Sequence, residues 1–200
     1  MINMRVNVGI ELDNPIIAAS GTFSLDMGPY FDFNELGAVC LKGVFPGPRE
    51  GNPPPRIAET ASGMLNSIGL PGAGVDGLIA DILPKMRKYN TKIIANVCGN
   101  TIGEYVEVAE KLSDKVDMLE VNVSCPNVKT GGMSFGTDAK KLEEVTEAVK
   151  KVAKCPIIVK LSPNVTSISD MAKAAESGGA DVISLINTIL GMKIDVNTRR

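Results

Sequence analysis

There is no histidine anywhere in the 200 residues, and no tryptophan. The first absence removes Ser-His-Asp and Cys-His catalysis, and every histidine-ligated metal site, from what the chain can do alone. A general base must then be Cys, Lys, Tyr, Asp or Glu. Paired cysteines are lacking too. Cys40, Cys98, Cys125 and Cys155 include no CxxC pair, so no metal and no iron–sulfur cluster is expected on this chain. A disulfide framework is equally unexpected in the cytosol. No apolar run approaches the roughly 18 residues that cross a bilayer. The opening residues, MINMRVNVGIEL, hold neither an apolar h-region nor a small-residue cleavage site, so a cytoplasmic protein is expected. Charge of one sign is also lacking: 21 basic against 23 acidic residues leave a net −2. That balance gives no reason to expect nucleic acid or a membrane as partner.

What the chain does have is alternation. Short, nearly continuous apolar runs at Pro15–Ala19, Ala38–Lys42, Lys92–Val97, Met118–Val123, Pro156–Lys160 and Asp181–Ile186 read as parallel strands buried on both faces. Amphipathic stretches at Tyr30–Leu36, Val75–Tyr89, Thr101–Ser113, Asp138–Val152 and Ser167–Ser177 read as helices between them. Thr137 or Asp138 supplies an N-terminal signal for the fourth, and Gly178-Gly179 a stop for the fifth. Arg5–Val8 and Ile10–Leu12 around Gly9 suggest a small hairpin closing a barrel floor. Such alternation implies an α/β fold with a parallel sheet, doubly wound or a (β/α)₈ barrel. No GxGxxG follows a strand, which lowers the prospect of a dinucleotide-binding sheet. Six strand units over residues 1–200, taken as a single domain, would make an incomplete barrel, since eight units need about 250 residues. Between Gly43 and Gly74 the rhythm breaks into a long, partly apolar loop, read as an excursion over a functional site.

The strand ends favour the barrel, whose chemistry sits at the C-terminal ends of its strands. Ser20-Gly21, Lys42-Gly43, Asn96, Asn122 with Ser124-Cys125-Pro126-Asn127, Lys160-Leu161-Ser162 and Asn187-Thr188 stand at those ends in chain order. Strand ends meet loops, and loops are polar, so any one of these residues is ordinary. Two lysines and three asparagines together are less so. Amides give and accept hydrogen bonds side by side, which matches imide and pyrimidine edges, and lysines supply charge for an anionic ligand. Period-two alternation puts Lys42 on the face of Cys40, and Asn122 on that of Glu120. Glu120 is expected to pair with Lys160 or Lys42 inside the barrel rather than to catalyse. Among the thiols, Cys155 lies at the stability end, Cys40 inside an apolar strand, and Cys98 and Cys125 just past strand ends. Cys125, in the polar turn NVSCPN, is the better candidate for chemistry.

The segments LKGV, LNSIGLPG, NVSCPNV, IIVKLSPNV and INTILGMKID, in this order along essentially the whole chain, resemble class 1 dihydroorotate dehydrogenases, and more closely the 1B branch. The resemblance implies a flavin barrel that oxidises dihydroorotate to orotate in pyrimidine synthesis. It implies FMN contacts from Ser20, Lys42, Gly43, Asn96, Asn122, Lys160 and Ile186. It implies substrate contacts from Lys42, Asn66, Ser67, Ile68, Gly69, Leu70, Asn122, Asn127, Asn187 and Thr188. Cys125 becomes the base that removes the C5 proton while C6 passes hydride to the flavin. The 1B branch further implies a homodimer core of a heterotetramer, with FAD and a [2Fe–2S] cluster on a separate electron-transfer subunit and NAD⁺ as final acceptor. The family grips the FMN phosphate with loops after strands seven and eight, which lie beyond the six units found here. At Gly72 the chain departs from many relatives, which carry Asn. The competing readings are another flavin barrel acting on dihydropyrimidine or dihydrouridine, a Schiff-base lyase using Lys160 or Lys42, and an inactive fragment.

Overall fold

A computed structural model describes residues 3–124 and 135–197 of the chain. Its strands are β1 (Val6–Asn7), β2 (Glu11–Leu12), β3 (Ile17–Ala18), β4 (Ala38–Cys40), β5 (Ile57–Thr60), β6 (Gly63–Asn66), β7 (Lys92–Val97), β8 (Met118–Asn122), β9 (Ile157–Lys160) and β10 (Val182–Ser184). Six of them form one parallel sheet in the order β3-β4-β7-β8-β9-β10. The order follows the chain without reversal. A doubly wound sheet reverses at a switch point; a sheet that adds each strand beside the last curls into a barrel wall. The expected incomplete barrel is what the chain builds.

Alternate residues divide between two faces, as a strand's period of two requires. Val39, Leu41, Ile93, Ala95, Val97, Leu119, Val121, Ile157 and Val159 pack in the large core shared with the helices. Ala38, Cys40, Ile94, Met118 and Ile158 form a second, inner cluster with Leu12 of the β1–β2 hairpin, and Val6, Val8 and Ile10 pack against it. The hairpin is therefore the floor that the sequence suggested.

The helices are α1 (Gly74–Gly77) and α2 (Leu83–Met86), joined by a π-helical turn Leu78–Ile82, then α3 (Ile102–Leu112), α4 (Ala139–Val152) and α5 (Ile168–Ser177). Pro84 has no N–H for the preceding turn, so the predicted continuous helix over Val75–Tyr89 is interrupted there. The last three helices begin on their own sequence signals. Thr101 accepts from Glu104 N, Asp138 from Lys140 N and Lys141 N, and Ser167 from Asp170 N. Each such cap contributes about 1 kcal/mol. On α3, Tyr105, Val108, Ala109 and Leu112 are all fully buried at the i, i+3, i+4, i+7 spacing of one face.

Two expectations need correction. The helix expected over Tyr30–Leu36 is only a 3₁₀ turn, Phe33–Glu35. Phe33 is drawn into the core against Phe23 and Tyr89, leaving too little chain for a helix. The long loop after Gly43 carries the antiparallel hairpin β5–β6. Its pairing was hidden because ETASGML has no clear alternation.

Candidate active site

The inner face changes character toward the C-terminal ends of the strands. Above the apolar layer, the side chains become Asn96 on β7, Glu120 and Asn122 on β8, and Lys160 on β9. Strand register places Asn96 opposite Glu120, and Asn122 opposite Lys160. Asn96, Glu120 and Asn122 are buried, at 0%, 6% and 7% exposure. Buried polar groups need partners, and here they find one another.

Glu120 Oε1 is the centre. It accepts from Asn96 Nδ2 at 2.6 Å and from Cys40 Sγ at 3.3 Å, and Lys160 Nζ stands 3.8 Å away. Asn96 Oδ1 then accepts from Asn122 Nδ2 at 3.2 Å and from Cys98 Sγ at 3.4 Å. Asn122 Oδ1 accepts from Asn187 Nδ2 at 2.9 Å and from Ser124 N at 3.3 Å. Asn187 Oδ1 accepts from Thr188 N at 2.8 Å. A single directed chain of amides thus runs from β7 across the sheet to the loop after β10. Tyr105 of α3 donates to the Asn122 carbonyl at 2.7 Å, holding the end of β8 from behind.

Burial and the neighbouring Glu120 carboxylate both push the Cys40 thiol well above its ordinary pKa. It is a neutral donor, in keeping with the small-hydrophobe reading.

Lys42 does not follow the expected alternation. Leu41 N bonds to Ile94 O and Val44 N to Asn96 O, so β4 spends one residue more than β7 between the same rungs. That bulge at Lys42-Gly43 leaves Lys42 exposed. It is glycine that makes the bulge possible: a Cβ on Gly43 would lie 2.9 Å from both Asn96 Oδ1 and Cys98 Sγ. Glu120 therefore pairs with Lys160, one of the two partners expected for it, and not with Lys42.

The segment Asn66–Leu70 arches back over this corner. Ser67 N bonds to Arg56 O, and Asn52 N to Ile68 O. Asn52 Nδ2 donates to Ser67 O at 3.0 Å and to Ser67 Oγ at 2.9 Å. Gly69 and Leu70 both have positive φ, 81° and 51°. For Leu70 this conformation costs about 1 kcal/mol or more, and it brings the leucine within 3.7 Å of the Cβ position of Gly43. On the far side, Asn164 Nδ2 donates to Thr188 O at 3.1 Å and its Oδ1 accepts from Leu190 N at 3.0 Å.

Of the residues singled out from sequence, Gly43, Asn96, Asn122, Lys160 and Asn187 come together in one cluster. Thr188 adjoins it, and Asn66, Ser67, Ile68, Gly69 and Leu70 form the arch above. Ser20 is half-buried just past β3, and Ile186 lies exposed just past β10; neither is hydrogen-bonded into the cluster by its side chain. Cys125 and Asn127 lie outside the described residues. Sequence reasoning missed Asn52 and Asn164, which position the two covering segments. Asn164 had a signal, since it follows β9 in LSPN; Asn52 had none. Cys98, placed just past a strand end, touches the cluster through Asn96. Among the described residues no group of three or more Cys, Asp and Glu is arranged to hold a metal ion, and no helix is long and apolar enough to cross a membrane.

A singly wound parallel sheet, helices on its outer face and a polar ring at its C-terminal rim define a barrel of the TIM class with its chemistry at the usual end. The sequence model of the family described as dihydroorotate dehydrogenase matches residues 3–200. The chain belongs to the dihydroorotate dehydrogenase family. It is 60% identical over 203 residues to a protein of Alkaliphilus metalliredigens named dihydroorotate dehydrogenase B (NAD(+)), catalytic subunit, a match covering 100% of this chain and 67% of that one. Proteins of the same name from Alkaliphilus oremlandii and Caldicellulosiruptor saccharolyticus are 55% and 52% identical, matched over 99% and 100% of this chain and 67% of each of theirs. A crystal structure of dihydroorotate dehydrogenase from Eimeria tenella in complex with ferulenol shares the fold, with a TM-score of 0.75 at 21% identity over 96% of this chain and 61% of that one. The chain thus spans about two thirds of the length of these relatives.

Proposed function

We propose that the protein oxidises dihydroorotate to orotate with FMN, as the catalytic subunit of an NAD⁺-linked dihydroorotate dehydrogenase in pyrimidine biosynthesis. The observation that carries the proposal is the buried amide chain Asn96–Asn122–Asn187 beside the Lys160 ammonium, at the catalytic rim of the sheet. Donors and acceptors alternate along it, as the edges of an imide require. The residues present suit a flavin: with no side chain at Gly43, where a Cβ would crowd Asn96 Oδ1 at 2.9 Å, the backbone can approach the amides of the rim closely. Ser20, Lys42, Gly43, Asn96, Asn122, Lys160 and Ile186 would hold it. When bound, FMN supplies the hydride acceptor.

Asn122, Asn127, Asn187 and Thr188 hold the dihydropyrimidine ring, and exposed Lys42 faces its carboxylate. The arch Asn66–Leu70 excludes water. Cys125 takes the proton from C5. Electrons leave through a partner subunit carrying FAD and a [2Fe–2S] cluster, in a heterotetramer built on a homodimer. The cytoplasmic location belongs to the same proposal. The Schiff-base alternative through Lys160 is disfavoured by its engagement with Glu120.

The deciding experiment is anaerobic addition of dihydroorotate to the FMN-loaded protein. The flavin absorbance should bleach, and orotate should form in stoichiometric amount. An unbleached flavin would overturn the proposal. With the flavin bleached, addition of NAD⁺ should leave it reduced until the partner subunit is present.

A further inference from the structure

Glu120 has no part in the chemistry just described, yet Asn96, Asn122, Asn187 and Lys160 all lead back to it. It is the one charged residue buried among the described residues, and its Oε1 sits within reach of Asn96, Cys40 and Lys160. An amide viewed alone can be turned over, because its oxygen and nitrogen ends are nearly the same size. A carboxylate cannot: it only accepts.

That asymmetry propagates. Asn96 must give its Nδ2 to Glu120, so its Oδ1 points along the rim. Asn122 must answer with Nδ2, which turns its own Oδ1 toward Asn187. Asn187 must answer with Nδ2, and its Oδ1 is left for Thr188 N. One carboxylate decides which end each of three amides presents.

We propose that Glu120 is the positioning residue of this site: through Asn96 it sets the direction of the whole Asn96–Asn122–Asn187 relay, and its charge holds the Lys160 ammonium at the rim. The inference rests on the reading of the rim as a flavin and dihydroorotate site. It assigns Glu120 a role no simple packing account needs. A packing role calls only for a side chain of that size; a directing role calls for an acceptor at that atom.

Two substitutions separate acceptor from charge. Glu120→Gln keeps an acceptor oxygen for Asn96 and removes the charge beside Lys160. Glu120→Leu removes both. A buried donor deprived of its acceptor costs about 1–3 kcal/mol, or roughly 5- to 150-fold in an equilibrium constant. In the FMN-loaded protein, Glu120→Leu should therefore raise the KM for dihydroorotate and the Kd of orotate, read from the flavin difference spectrum, by about 10-fold or more. Glu120→Gln should leave both within about 3-fold. Its rate of flavin reduction at saturating dihydroorotate should instead fall several-fold, because Lys160 has lost the counter-charge that holds it at the rim. Cys40→Ala, which removes a neighbour of Glu120 without touching the amides, should lower thermal stability alone.

Equal KM and Kd shifts in the Gln and Leu variants would overturn the directing role. So would a Leu variant that binds orotate like wild type. Melting temperatures alone do not decide, since all three variants are expected to melt earlier. If wild type neither binds orotate nor is reduced by dihydroorotate, the fault lies with the functional reading instead, and the two failures are distinguishable.

Discussion

Cys125 is the residue on which the proposed chemistry turns. A free thiol has a pKa near 8.5, so at neutral pH a few per cent is thiolate. General-base catalysis contributes typically about 10²- to 10⁴-fold. Cys125→Ala should slow single-turnover flavin reduction by about that factor, with FMN content unchanged. Cys125→Ser should also be slow and should quicken with rising pH, because a hydroxyl is the weaker acid. Cys98→Ala, which gives up a weak 3.4 Å contact to Asn96, should stay within a few-fold of wild type. Wild-type flavin reduction by Cys125→Ala would remove that cysteine from the mechanism.

The other thiols make a prediction about stability. Burial pushes Cys155 from the ordinary thiol value of 9.0 to about 11, and burial with Glu120 pushes Cys40 well up. A thiol is neutral while protonated. The folded state therefore keeps protons that the unfolded state has already released, and stability falls with rising pH. For Cys155 the fall begins near pH 9 and is complete by about pH 11. Urea denaturation of wild type across that range should show the decline, and Cys155→Ala should flatten part of it. A profile identical in the two proteins would refute the assignment to Cys155.

At the scale of elements, the covering arch is held by hydrogen bonds that the chain alone does not show. Asn52 ties Ser67 at both its carbonyl and its hydroxyl, and β5–β6 stiffens the return. Asn52→Ala removes both side-chain bonds, worth about 1 kcal/mol each. The arch would then spend more time away from the rim. The KM for dihydroorotate should rise several-fold, while reduction at saturating substrate stays near wild type. An unchanged KM would mean that the arch is held by its backbone pairing alone.

At the scale of the whole molecule, the parallel sheet has two ends, β3 and β10, that do not pair with each other. Near them lie exposed Ile16, Ile189, Leu190 and Met192, at 59, 75, 74 and 84% exposure. Unpaired strand edges beside apolar surface recruit further chain. A polypeptide of these 200 residues should self-associate in sizing chromatography. Lysine at both Leu190 and Met192 should shift it toward monomer. A polypeptide of these 200 residues that elutes as a monomer would contradict this.

Much of this was legible in the chain itself. The core strands were visible because parallel strands are buried on both faces and read as plain apolar runs, and Lys92–Val97 matches to the residue. The cap at Asp138 marked a helix start, since orphan N–H groups there need nearby oxygens; the caps at Thr101 and Ser167 came to light only in the structure. The short motifs pointed to the family. Other features arise only from folding. The bulge at Lys42-Gly43 appears when β4 meets β7, because register is a property of a pair. The hairpin β5–β6 forms without any local pattern, and Phe33 unwinds its expected helix by packing elsewhere. Above all, composition could name Glu120 and its asparagines but not join them. They stand on three separate segments, and hydrogen bonds are matters of a few tenths of an ångström. Sequence determined which residues stand at the rim; only the tertiary structure decided which of them touch, and in which direction each amide points.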